Sequence, residues 1–244
     1  MKQATGDAAV LRDPKLASVI RLSAVDTVRA RIGLALELNL LQPGERLPSD
    51  AEVAQALEVS EITARRALMG LAQDGFLNRI RGKNGGTFVS NALPKTKISE
   101  TEAYKSQKKL VDQLIDERTL AECSLGYFAV KNATQEQFDY LDAQIQAAAQ
   151  ADNWADYHRA DELFHKGLAL ASGQSWGIMR HAEVLAELYK FFVPYPIDYL
   201  HEVNHDHELI LKHLKNRDAE AAVAQIRDHI QVLHKTMFTG LPTA

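Results

Sequence analysis

The chain has 244 residues, 46% of them hydrophobic, and a net charge of −4 at pH 7. This length suffices for two domains, and the single cysteine excludes an internal disulfide. No apolar run approaches the ~20 residues that cross a bilayer, and the N-terminus lacks the charged-then-apolar layout of a signal peptide. We therefore expect a cytoplasmic protein that makes no membrane contact.

Charge and histidine content divide the chain into two parts. Residues 1–90 contain 12 Lys+Arg against 10 Asp+Glu, whereas residues 91–244 contain 16 against 22. The first part is only weakly basic, so any contact with nucleic-acid phosphates must come from a local patch. All nine histidines lie between His158 and His234. The two parts are therefore expected to have different roles.

We interpret residues 1–20 as an N-terminal arm and residues 21–90 as the first domain. Apolar residues recur at helical spacing over residues 22–41, 50–57 and 60–74, which predicts three helices. The last two are short and are separated by a tight break. The third buries an apolar face and carries Thr63, Arg65 and Arg66 on its outer face. This is the helix-turn-helix arrangement that places a helix in the DNA major groove.

A hairpin is predicted after the third helix. Residues 76–81 and 87–89 have the pattern of strands, and the segment Gly82-Lys83-Asn84-Gly85-Gly86 between them is typical of a turn. Three helices and a hairpin make a winged helix-turn-helix domain. The alternative is an ordinary small α+β domain whose arginines are merely solvated. The helix pair, the basic outer face and the basic hairpin tip occur together, which favours DNA binding.

The remainder is predicted to be a linker and a helical bundle. Residues 91–105 contain a proline and polar residues without periodicity, so we interpret them as the linker. Helical periodicity fills residues 106–240, with helices over about 108–130, 134–148, 153–171, 176–192, 199–215 and 218–238. The fold class is therefore mainly α, with an N-terminal winged helix-turn-helix domain and a C-terminal all-α bundle of six or seven helices.

Motifs in both parts resemble one known family. In the first part they are Leu41-x-Pro43-Gly44-x-x-Leu47-Pro48-Ser49, Val59-Ser60-x-x-Thr63-x-Arg65-x-Ala67-Leu68-x-x-Leu71 and Gly75-Phe76-Leu77. In the second part they are Arg118-x-x-x-Glu122, Asp161-x-x-Phe164-His165-x-x-Leu168, His207-x-x-Ile210-Leu211 and the run from Arg217-Asp218 to His229. Over roughly residues 22–240 the chain resembles the GntR family of bacterial transcription regulators, and within it the FadR-type branch with a helical ligand-sensing FCD domain.

The resemblance implies DNA contacts at the third helix and at the hairpin tip. The implied contacts are Ser60, Glu61, Thr63, Arg65 and Arg66 on the helix, with Gly82 and Lys83 at the wing. Arg66 is equally well explained as a solvated helix charge. The family commonly has arginine where this chain has Glu61, and some relatives have one where this chain has Ala51. A carboxylate repels phosphates but can accept from a cytosine amine, so the operator sequence stays open.

Four residues of the second domain form a candidate metal site. Asp161 and His165 are four residues apart, so they project from one face of one helix. His207 and His229 each share a face with apolar residues that should point into the bundle. A lone inward histidine is more often a satisfied core residue, so the case rests on all four coinciding with the ligand pattern of the family. Their donors suit a divalent ion, for which we favour zinc or nickel and leave copper or iron open.

Other histidines are weaker candidates. His201 and His205 also lie four residues apart, but their face includes Glu208 and Lys212 and is expected to point outward. The remaining histidines have no comparable pattern. We therefore expect surface positions for this rival pair.

An effector is expected beside the metal. The resemblance implies a small organic acid, sugar acid or amino acid, with Arg118 clamping its carboxylate in bidentate fashion. Tyr189, Lys190 and Tyr195 are further candidates for the pocket lining. The alternative for Arg118 is an ion pair with Glu122 four residues later, worth ~0.3–0.5 kcal/mol on a surface. Both interpretations hold together if Glu122 positions Arg118.

These features predict a dimeric, ligand-responsive transcription regulator, a repressor, because one winged helix reads only half of a palindromic operator. Ligand binding would reorient or free the DNA-reading domains through the linker. Whether the ligand releases or promotes DNA binding is left open. One alternative is a metal-dependent enzyme, since a His/Asp site with open positions can activate water, but no motif for a general base is present and we expect no enzyme. Another is a constitutive DNA-binding protein with a purely structural metal.

Overall fold

The computed structural model describes residues 22–83, 85–238 and 240–241, so the predicted arm over residues 1–20 lies outside the described part. The first domain contains α1 (Ala24–Glu37), α2 (Asp50–Ala56), α3 (Glu61–Gln73), β1 (Leu77–Ile80) and β2 (Gly86–Val89). The bundle contains α5 (Lys108–Asn132), α6 (Gln135–Ala149), α7 (Trp154–Ala171), α8 (Ser175–Tyr189), α9 (Ile197–Lys215), α10 (Ala219–Gln231) and α11 (Leu233–Thr236). The mainly helical fold class is confirmed.

Serine caps define the helices of the first domain. Ser23, Ser49 and Ser60 precede α1, α2 and α3, and each hydroxyl accepts the N–H of the residue three positions later. Such a cap satisfies an N–H group that has no partner within the helix. The hairpin pairs Leu77 with Val89 and Ile80 with Gly86 in antiparallel register. This part of the chain is therefore the winged helix-turn-helix that the sequence predicts.

Among the described residues the bundle has seven helices, the upper of the two predicted numbers. The last predicted helix, over about residues 218–238, is broken at Val232 into α10 and the short α11. The bundle core contains Phe164, Leu168, Ile210 and Ile226, all at most 1% exposed. Within the described residues, no helix is long and apolar enough to cross a membrane.

The prediction of an irregular linker is wrong for part of residues 91–105. Helix α4 (Ser99–Lys105) forms there. It packs on α1 at Gly33, where an added Cβ would lie only 2.7 Å from Ile98 Cδ1. Arg29 of α1 also donates to Glu100 over 2.6 Å. The segment is helical because it docks on the first domain, and such tertiary contacts leave no apolar periodicity in the sequence.

The two domains share one apolar core. Trp154 and Ala155 at the start of α7, with Val193 and Tyr195 after α8, are buried in the same cluster as the core of the first domain. The hydroxyl of Tyr104 in α4 donates to the carbonyl of Phe191. The DNA-reading domain is thus docked against the bundle beside α7.

Candidate functional site

The four predicted metal ligands come together in the middle of the bundle. Asp161 and His165 lie on α7, His207 on α9 and His229 on α10, and all four are buried. The His229 Nε2 atom is 3.2 Å from that of His207 and 3.3 Å from that of His165. Asp161 Oδ1 is 3.5 Å from His207 Nε2 and 3.7 Å from His165 Nε2. Neighbouring donors bound 2.0–2.1 Å from one tetrahedral ion are about 3.3 Å apart, so the donor set fits a single ion.

Outer hydrogen bonds hold each imidazole with Nε2 toward the cluster. The Nδ1 atom of His165 is 2.5 Å from Glu122 Oε1, that of His207 is 3.1 Å from Asn204 Oδ1, and that of His229 is 3.3 Å from Asp206 Oδ2. Such partners fix the tautomer and orientation of a ligating histidine.

Burial and neighbouring charges set the protonation of the cluster. Burial lowers the pKa of His207 well below its usual range and lowers the pKa of His229 as well. Both rings are therefore neutral near pH 7, as metal binding requires. Burial disfavours the Asp161 carboxylate, but the charge of His165 outweighs it and lowers the pKa of Asp161. The Tyr189 hydroxyl donates to Asp161 Oδ2 over 2.8 Å, which adds to the preference for the ionised form.

Glu122 is the centre of a second buried network. Its carboxylate is 3.1 Å from Arg118 Nε, 2.5 Å from His165 Nδ1 and 2.9 Å from His181 Nε2. The interpretation of Arg118 and Glu122 as a surface pair is wrong, because both side chains are at most 2% exposed. Burial disfavours the Glu122 carboxylate, yet His165 and Arg118 outweigh it and hold its pKa well below the usual range. One carboxylate thus positions both the predicted clamp and a predicted metal ligand. Nothing in the sequence distinguished His181 from the other histidines as a member of this network.

A cavity adjoins the cluster and is lined by Asp161, His165, His229 and Arg118. Among the described residues, Arg118 Nη2 is buried here without a hydrogen-bond partner, although its Nε is bonded to Glu122. Buried polar atoms are normally bonded. A free N–H of a buried guanidinium therefore points to an anionic partner supplied by a ligand.

More unpartnered polar atoms surround the same cavity: Trp154 Nε1, Tyr157 OH and His158 Nε2. Burial lowers the pKa of His158 to about 4, so this ring is neutral near pH 7. None of these three residues has a motif in the sequence, because aromatic residues at helical spacing are usually core. Of the further candidates, Tyr195 lines the cavity and Tyr189 bonds Asp161, whereas Lys190 is exposed and pairs with Glu187.

The rival pair of histidines lies outside this site. The His201 Nε2 atom is 3.1 Å from the carbonyl oxygen of Ala151, and the exposed His205 pairs with Glu208 over 2.9 Å. Neither ring takes part in the cluster. Both were predicted at the surface; His205 is exposed there, whereas His201 is half-buried.

The predicted DNA-binding residues lie at the start of α3 and at the hairpin tip. Ser60 caps α3, and its hydroxyl is 2.8 Å from that of Thr63. A groove beside them is lined by Glu61, Arg65 and Gly82. Thr63, Arg66 and Lys83 do not line the groove, and of these Arg66 and Lys83 are exposed. Gly82 has φ 108°, a conformation that favours glycine.

Three arginines that the sequence did not single out line this groove as well: Arg46, Arg79 and Arg81. Two arginines of the groove donate hydrogen bonds to the Asp50 carboxylate, Arg65 from Nε over 3.0 Å and Arg79 over 2.9 Å. Arg65 is also paired with Glu61. The surface is thus rich in arginines, but Arg65 and Arg79 are already paired with carboxylates of the same surface.

Comparison with known proteins assigns both domains. Residues 24–89 match the model of bacterial regulatory proteins of the gntR family, and residues 113–232 match the FCD domain model. The chain belongs to the GntR family. The resemblance seen in the motifs is thereby confirmed, and the chain carries the DNA-binding domain of these regulators. The matching family and the named relatives are transcription regulators and not enzymes, which decides against the metalloenzyme alternative.

Individual relatives agree with this assignment. The fatty acid metabolism regulator protein of Serratia proteamaculans is 34% identical over 142 residues, covering 55% of this chain and 56% of that protein. The chain thus spans only just over half the length of this relative. The HTH-type transcriptional repressor NanR of Escherichia coli is 27% identical over 202 residues, covering 79% and 76% of the two chains. The solved structure of E. coli McbR/YncC has a TM-score of 0.50 at 18% identity, covers 89% of this chain and 98% of that one, and supports the fold.

Proposed function

We propose that this GntR-family protein is a ligand-responsive transcriptional repressor. In this proposal a homodimer binds a palindromic operator, and its DNA affinity changes when a small carboxylate binds beside a divalent metal ion in the bundle. The observation that carries the proposal is the cavity. It combines the Asp/His cluster, the free N–H group of Arg118 and, from the DNA-reading domain, the side chain of Leu57.

The metal would be held by Asp161, His165, His207 and His229, with zinc or nickel as the expected ion. A bound ion supplies positive charge and coordination positions for a carboxylate oxygen. Arg118 donates from Nη2 to the same carboxylate, while its Nε stays on Glu122. The organic acid, sugar acid or amino acid classes all carry such a group.

The effector role is tested with full-length, metal-loaded protein. Small acids are titrated while operator affinity is measured by fluorescence anisotropy, and acid binding by calorimetry. Arg118→Gln is expected to weaken acid binding by tenfold or more, since it removes a charge-assisted hydrogen-bond donor. The exposed Arg227→Gln is the matched control. If acids bind without any change in operator affinity, the protein is a constitutive DNA binder, because regulation requires coupling between the two sites.

DNA binding is proposed to use α3 and the hairpin tip, with Ser60, Glu61, Thr63, Arg65, Arg66, Gly82 and Lys83 as contacts. The groove arginines support this placement, because phosphate contacts require a local basic patch. Arg65→Ala is expected to weaken operator binding and to lower the salt dependence by about one ion. The exposed Arg227→Ala in the bundle is the control. Equal operator affinity of the two variants would remove Arg65 from the interface.

A homodimer is supported by an apolar surface on α5 and α8. Leu120, Phe128 and Trp176 border one groove and are 73%, 38% and 78% exposed. Contiguous exposed apolar surface marks interaction sites, and a two-fold dimer matches a palindromic operator. Trp176→Glu is expected to shift sedimentation from dimer to monomer. Leu170→Glu, which changes an exposed leucine of α7 outside this groove, is the control, and a dimeric Trp176→Glu protein would refute this interface.

A further inference from the structure

Arg31 is a buried cation that the DNA-reading domain contributes to the effector cavity. It belongs to α1, is 1% exposed and lines the cavity. Its Nε donates to the carbonyl of Phe192 over 2.5 Å, its Nη2 to that of Tyr189 over 2.9 Å and its Nη1 to that of Leu57 over 3.3 Å. Among the described residues, its hydrogen bonds go to carbonyl groups, and the negative charge of Glu58 acts on it without an ion-pair contact.

The carbonyl partners compensate this charge only in part. Leu57 caps the C-terminus of α2 and Tyr189 is the last residue of α8, where helix dipoles place partial negative charge. Burial lowers the pKa of Arg31 to about 10, which still leaves it charged at neutral pH. A buried cation without an anionic partner is costly. An anion in the adjoining cavity would supply that partner.

The cavity lining is largely apolar but includes two guanidinium groups. Arg118 stands beside the metal cluster, and Arg31 of α1 lines the cavity from the first domain. Among the described residues, Trp154 Nε1, a donor only, and the hydroxyl of Tyr157 are buried in the wall without partners. An aliphatic chain would leave these atoms unbonded, whereas hydroxyl groups would satisfy them. The lining therefore suits a ligand with two anionic groups and with hydroxyl groups.

Building on the proposed function, we propose that the effector is a hydroxylated diacid, with one carboxylate at Arg118 and the metal and the other at Arg31. Arg31 then binds the ligand to the DNA-reading domain. Its Nη1–H bond to Leu57 is a contact to α2, the helix that packs on the recognition helix α3. Tyr189 connects the two ends, since its hydroxyl binds Asp161 and its carbonyl binds Arg31. A second carboxylate at Arg31 competes with these carbonyls and alters the docking of the domain.

Four six-carbon probes separate the two features of this ligand: glucarate (diacid, hydroxylated), gluconate (monoacid, hydroxylated), adipate (diacid) and hexanoate. Each is titrated into metal-loaded, full-length protein by calorimetry, with operator affinity followed in parallel. Glucarate is expected to bind at least tenfold more tightly than gluconate or adipate and to change operator affinity most.

The decisive comparison uses Arg31→Gln, which keeps an N–H donor for the carbonyls but removes the charge. It should abolish the tenfold preference for glucarate over gluconate and change gluconate binding by less than twofold, while Arg31→Lys retains part of the preference. Metal content and melting temperature report folding. If gluconate binds wild-type protein as tightly as glucarate, or if Arg31→Gln weakens both acids equally, Arg31 is a structural contact and the inference fails while the proposed function stands. If no acid binds, the effector part of the proposed function fails as well.

Discussion

Replacing Glu122 by glutamine tests the buried network that joins Arg118 to the Asp/His cluster. The substitution keeps the size of the side chain but removes its charge, which faces Arg118, His165 and His181 within 3.1 Å. Removing one partner of a buried ion pair costs about 3–5 kcal/mol. At about 2–4 °C per kcal/mol for a chain of this size, we expect the melting temperature to fall by about 6–20 °C. Loss of the carboxylate behind His165 should also weaken metal binding about 10–100-fold.

Thermal denaturation of chelated and metal-loaded protein measures the first effect, and competitive metal titration measures the second. Glu187→Gln is the matched control, because Glu187 is 57% exposed and pairs with the exposed Lys190. Surface pairs contribute only about 0–1 kcal/mol, so this control should melt within a few degrees of wild type. Equal melting temperatures and equal metal affinities for the two variants would refute the role assigned to Glu122.

Three further outcomes are expected. Chelation of the metal should lower the free energy of unfolding by about 2.7 kcal/mol if the ion was present at about 100 times its Kd; an unchanged melting curve on readdition of zinc or nickel would contradict metal binding. Asp50→Asn should release Arg65 and Arg79 and so increase nonspecific DNA affinity and its salt dependence, measured by anisotropy at several salt concentrations; an unchanged salt slope argues against it. Gly33→Val should cost about 1–3 kcal/mol in chemical denaturation, because its Cβ meets Ile98; full stability would show that α4 is not closely packed.

The parts of this molecule that follow local rules were predictable from its sequence. Apolar spacing predicted the helices of both domains, since it depends on residues within a few positions. The Asp/His cluster was predictable only with the help of the family resemblance. Spacing places Asp161 and His165 on one helix face, and His207 and His229 lie among apolar residues. Inward histidines are more often core residues, so the ligand pattern of the family was needed to select these four.

The features that join distant segments were not predictable. Arg31 looks like an ordinary helix charge in the sequence, and only the docking of α1 against residues that follow α8 makes it buried. The pair of Arg118 and Glu122 has the spacing of a surface ion pair, and its burial depends on packing by α7 and α8. The sequence does not show that Trp154 Nε1 and the Tyr157 hydroxyl are buried without partners, because this depends on how the helices around the cavity pack.

Helix α4 has a consequence for the construction of hybrid regulators. Joining a foreign effector domain directly after β2 would remove Ile98 and Glu100. The cleft at Gly33 would be empty, and Arg29 would keep only Asp74 of its two carboxylate partners. The transplantable unit therefore ends after Lys105 rather than near residue 90. Chimeras joined after Lys105 should yield more soluble protein than chimeras joined near residue 90. Comparing such pairs would show where the transplantable unit ends.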